Sequence, residues 1–101
     1  MAETGSGPLE QLKSALADRE LPTLYFNGFI NSIGTGDVVI VLRRHGKPIA
    51  ILNTSYPVAK TLAEHLGGMI AQFEQQTGKT VMTIDQIRKS LSEGTDDEVD
   101  R

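Results

Sequence analysis

The chain has no cysteine, which excludes disulfides, thiolate metal sites and thiol nucleophiles. Tryptophan is also absent, and the aromatics are two tyrosines and three phenylalanines, a small supply of stacking surfaces for nucleic-acid bases. No apolar run approaches the roughly eighteen residues that a membrane span requires. The opening Met1-Ala2-Glu3-Thr4-Gly5-Ser6-Gly7 carries neither the basic nor the apolar part of a secretory signal. A cytoplasmic location follows as the default expectation.

Chemical motifs are scarce too. The histidines are His45, expected in a turn, and His65, on a helix. Glu64 is the nearest strong ligand to His65, and adjacent helical residues diverge by about 100°, so no metal donors converge there. No nucleophile elbow, phosphate-binding loop or dinucleotide fingerprint occurs, and Gly34-Thr35-Gly36 is too short to serve as one. The expectation is a protein without catalytic residues, metal or cofactor.

At 101 residues the chain fits one domain. Its charge is uneven. Glu93, Asp96, Asp97, Glu98 and Asp100 against Arg101 leave the last nine residues at −4, so the rest totals +1 within an overall −3. This reads as a flexible leader over 1–7, one α+β domain over 8–92 and a disordered acidic tail over 93–101.

The longest pattern runs from Ser55 to Gly78. Ser55 can cap the first free N–H groups, Pro57 suits a first turn that needs no donor, and Gly78 supplies a left-handed stop. Between them Ala59, Leu62, Ala63, Leu66, Ile70 and Phe73 recur at helical spacing as one apolar stripe. Pro8–Arg19, with Leu9, Leu12, Ala15 and Leu16, reads as a short amphipathic helix closed by Leu21-Pro22. Thr83-Ile84-Asp85-Gln86 is a capping box that opens a last short helix to about Ser92, with Ile84, Ile87 and Leu91 on its apolar face.

The middle of the chain reads as strands. Thr23–Ile33 is rich in β-formers, with Leu24, Phe26 and Ile30 on one face and Tyr25, Asn27, Phe29 and Asn31 on the other; Gly28 suggests a bulge. Asp37 steadies the Gly34–Asp37 turn. Val38–Arg44 and Ile49–Leu52 follow, joined at His45-Gly46-Lys47-Pro48. Loops this short imply an antiparallel meander. The expected fold is therefore α+β: a three-stranded antiparallel meander packed against one long helix, with short flanking helices.

Strands two and three are apolar on both faces, whereas one helix covers one face. The amino-terminal helix and a second copy of the chain are the two candidate covers, and a homodimer meeting through sheets or long helices is the expected one. Gly67-Gly68 in mid-helix points the same way, since each glycine costs roughly 1 kcal/mol against alanine there and leaves room for a neighbouring backbone. Tyr25, Phe29, Val39, Val41, Gly67 and Gly68 are the candidate interface.

Tyr25-Phe26-Asn27-Gly28, Asp37, and Ser55 leading to Ala59-Lys60, Leu62-Ala63 and Leu66 together resemble a small bacterial family, domain of unknown function 3467, over roughly residues 22–80. Phe73-Glu74 to Gly78 is similar to that family's helix ending. The resemblance implies strands followed by a long helix and assigns no activity. The chain departs from the family's pattern where Arg43-Arg44 stands in place of Phe-Gly.

Two functions remain. One is a non-catalytic protein-interaction module, acting as a homodimer and open to a protein partner along its first strand. The other is a nucleic-acid-binding regulator whose hairpin tip, Arg43, Arg44, His45 and Lys47, contacts phosphate while Tyr25 and Phe29 stack on bases. The acidic balance of the chain favours the first.

Overall fold

A two-residue turn at His45-Gly46 organises the strands. His45 has φ 54° and Gly46 φ 82°, the pair of positive angles that matches the twist of a hairpin. Strand β2 (Val38–Arg44) therefore runs straight into β3 (Lys47–Thr54), and β1 (Gly28–Ile33) lies on the other side of β2. The sheet order is β1-β2-β3, with β1 and β2 antiparallel. The chain is thus α+β, with this three-stranded sheet and three helices: α1 (Pro8–Ala17), α2 (Tyr56–Thr77) and α3 (Ile84–Asp100). These elements come from a computed structural model that describes residues 7–100, with backbone alone over 93–100.

Two compact units divide the chain, residues 1–53 with α1 and the sheet, and residues 54–101 with α2 and α3, where the composition suggested a single domain over 8–92. Each unit is built from local pairings: hairpin turns and ladders in the first, helical turns and caps in the second. The expected leader at 1–7 lies outside the described residues except for Gly7. That residue's carbonyl accepts from the Gln11 N–H at 3.0 Å.

In the first unit, Pro8 opens α1 as anticipated. The helix stops at Ala17, two residues short of the expected Arg19. Asp18 explains the difference: its side chain accepts from the Glu20 N–H at 2.9 Å, a turn that competes with another helical bond. Leu9, Leu12 and Leu16 remain exposed.

Strand β1 begins at Gly28 rather than Thr23. Gly28 pairs with Arg43, and β2 ends one residue later, so the chain before Asn27 has no strand opposite it. Tyr25, Phe26 and Asn27 consequently precede the strand. At the far end Gly34 N–H donates to the Asp37 carbonyl at 2.7 Å, and Asn53 Nδ2 donates to Asp37 Oδ2 at 3.2 Å. Asp37 thus fastens the β1–β2 turn to the end of β3. A Cβ on Gly34 would lie 2.9 Å from Asp37 Oδ1 and 3.3 Å from the Asp37 carbonyl, so a larger residue there would displace the Asp37 side chain.

In the second unit, Ser55 Oγ accepts from the Val58 N–H at 3.3 Å, with Pro57 in the first turn. Gly78 closes α2 at φ 72°, its N–H on the Glu74 carbonyl at 2.8 Å. Glu74 Oε2 also accepts from the Val81 N–H at 2.8 Å, holding the segment that leads to the capping box. There Gln86 N–H donates to Thr83 Oγ1 at 3.1 Å, and Thr83 N–H to Gln86 Oε1 at 2.8 Å.

Helix α3 then continues to Asp100, through the stretch read from its charge as a disordered tail and well past Ser92.

Candidate interaction surfaces

The basic hairpin tip is tied down by the segment before β1. Asn27 Oδ1 accepts from the His45 N–H at 3.0 Å, and Asn27 Nδ2 lies 3.5 Å from His45 Nδ1. The Asn27 N–H also donates to the Arg43 carbonyl at 3.0 Å. Asn27 therefore holds the turn in the left-handed conformation that His45 adopts. From sequence it was only one residue of a strand face; its side chain's role depends on where β1 starts.

Arg43 is turned inward along the tip, with Nη2 donating to the Gly46 carbonyl at 2.7 Å. Arg44 and Lys47 are exposed, and Arg44, adjacent to Arg43 in the same strand, points to the opposite face. The four residues Arg43, Arg44, His45 and Lys47 thus sit at one tip without converging on one face. Tyr25, 69% exposed, lies outside the strand.

The register sorts the apolar residues of the sheet. Phe29 stands opposite Leu42, Asn31 opposite Ile40 and Ile33 opposite Val38; Ile30 faces Val41 and Ser32 faces Val39. Directly opposed residues project to the same side, so Phe29 shares a face with Leu42, while Val39 and Val41 share the other with Ile30. The grouping of Tyr25, Phe29, Val39 and Val41 into one interface is corrected accordingly. It fails because odd-numbered residues of β1 meet even-numbered residues of β2. Both faces carry apolar side chains, and Phe29, Ile30, Ile51 and Leu52 all stay exposed.

The two edges of the sheet differ. Strand β3 carries Lys47 and Pro48, residues that discourage further pairing, whereas Gly28–Ile33 has no charge and no proline. This makes β1 the edge open to strand addition.

On α2 the apolar face is wider than the six-residue stripe. Val58 and Met69, 55% and 64% exposed, extend it to an arc of about 140° at 100° per residue. Gly67 and Gly68 fall outside this arc, and a Cβ at either would meet nothing within 4 Å. Within the chain they mark no close approach. A shallow apolar depression of about 360 Å³ is lined by Pro57, Val58, Thr61, Leu62 and His65 of α2. It offers a ligand one imidazole and no charged side chain.

Among the described residues no three His, Asp or Glu side chains are placed to hold a metal ion. Likewise no helix there is long and apolar enough to cross a membrane. No family model, no curated protein and no solved structure matches the chain.

Proposed function

We propose that the protein is a small cytoplasmic, non-catalytic protein-interaction module that works as a homodimer. The observation that supports this most is the distribution of burial. Among the described residues Leu42 alone is buried, at 5% exposure, while Phe29, Ile30, Leu66 and Phe73 each keep about half their surface in solvent. Each such side chain hidden by a second copy contributes roughly 1 kcal/mol, and exposed apolar surface on this scale marks an association site.

The β1 edge is the place where a further protein partner adds a strand. Main-chain groups supply the affinity there, and alternate side chains such as Phe29, Asn31 and Ile33 supply the selectivity. Kinship with the domain of unknown function 3467 family is part of the same proposal, supported by the order of strands followed by a long capped helix.

Sedimentation equilibrium at micromolar concentration tests the homodimer. A species of twice the 11.0 kDa chain mass is expected, and a monomer across the concentration range contradicts the reading.

A further inference from the structure

The size gradient along α2 points to its occupant: we infer that the apolar face of α2 packs antiparallel against the same helix of a second copy, with the two-fold axis near Leu66. This rests on the homodimer reading and adds to it which surface is used and in which direction.

The first argument is volume. The amino-terminal half of the face carries Val58, Ala59, Leu62 and Ala63, whereas the carboxy-terminal half carries Met69, Ile70 and Phe73, so both of the small residues lie before Leu66. An antiparallel pair sets the bulky half of each helix against the small half of the other and fills both ends evenly. A parallel pair sets Phe73 against Phe73 and alanine against alanine, crowded at one end and hollow at the other. Leu66 lies close to the middle of the arc, so it sits on the axis and meets its own copy.

Charge gives the second argument. Glu74 borders the apolar arc near one end of α2, and Lys60, near the other end, lies about 60° beyond the same edge. Antiparallel packing brings Lys60 beside the partner's Glu74 twice over, through the carboxylate oxygen that Val81 does not occupy. About a two-fold axis, parallel packing puts each of them on the opposite edge of the interface from its own copy, and no Lys60–Glu74 pair forms. Opposed helix dipoles favour the antiparallel arrangement as well.

Area gives the third. The six large side chains of the face are between 47% and 64% exposed. Hiding that surface removes on the order of 600 Å² per copy, about 1,200 Å² in total, which reaches the range of a stable dimer.

The lack of native cysteine makes the test direct. Full-length Ala59→Cys and Phe73→Cys proteins are oxidised separately and as an exchanged mixture, then separated without reductant. Along the helix these positions are about 21 Å apart, so antiparallel packing cross-links one to the other and neither to itself. The mixed disulfide is expected to exceed either self-linked product by roughly ten-fold or more. Ile70→Cys, on the same side of the face as Ala59, replaces Phe73→Cys if loss of the ring weakens the dimer. Self-linked Ala59→Cys overturns the antiparallel assignment. A dimer of the unaltered protein in sedimentation with no cross-link through α2 overturns this inference and leaves the homodimer standing. A monomer overturns both.

Discussion

His45 holds φ 54°, a conformation that costs an ordinary side chain roughly 1 kcal/mol, and Asn27 is the residue that maintains it. Removing the clamp and relieving the strain should therefore act in opposite directions. Asn27→Ala leaves the His45 N–H without its side-chain acceptor and is expected to destabilise the fold by about 1 kcal/mol. His45→Asn keeps that N–H and places Asn-Gly, the favoured pair for this turn, at the tip; a gain of about 0.5 kcal/mol is expected. Urea unfolding of the two variants beside the unaltered chain reads both. Equal losses would mean that the tip is not held as described. Arg43 Nη2 donates to the Gly46 carbonyl, and Arg44 and Lys47 are the tip's exposed cations.

At the scale of elements, the helix ends are what the sequence discloses best. Ser55, Pro57, Gly78 and the Thr83/Gln86 box each act within three or four residues of themselves, so residue type and spacing suffice. The sheet is legible only in part. Its three strands and short turns follow from composition, but the sorting of Phe29 away from Val39 and Val41 depends on the β1–β2 register. That register is set by the Gly34–Asp37 turn, where the Gly34 N–H meets the Asp37 carbonyl, and no local pattern in Thr23–Ile33 contains this information. The glycine pair in α2 is a further case: two costly residues suggest a close approach, yet nothing lies within 4 Å of a Cβ at either. Gly67→Ala and Gly68→Ala should each raise stability by up to about 1 kcal/mol and leave the dimer intact. Loss of the dimer in sedimentation would show instead that a partner's backbone lies against them.

For the molecule as a whole, the decisive quantity is how much apolar surface one chain leaves uncovered. Among the described residues, a core of one buried side chain, Leu42, gives little to set against the entropy of ordering the backbone. The sequence signals this, since strands that are apolar on both faces need two covers. Which apolar residues of the sheet share a face is not legible there, because it depends on the β1–β2 register. If association supplies the missing burial, folding and dimerisation are one equilibrium.

Urea unfolding followed over a hundred-fold range of protein concentration tests this most directly. Coupled folding and association predict a stability that rises by about 2.7 kcal/mol across that range, with the midpoint moving to higher urea by on the order of 1 M. A midpoint that does not move with concentration would contradict the account, because it would show that one chain is stable with these surfaces uncovered.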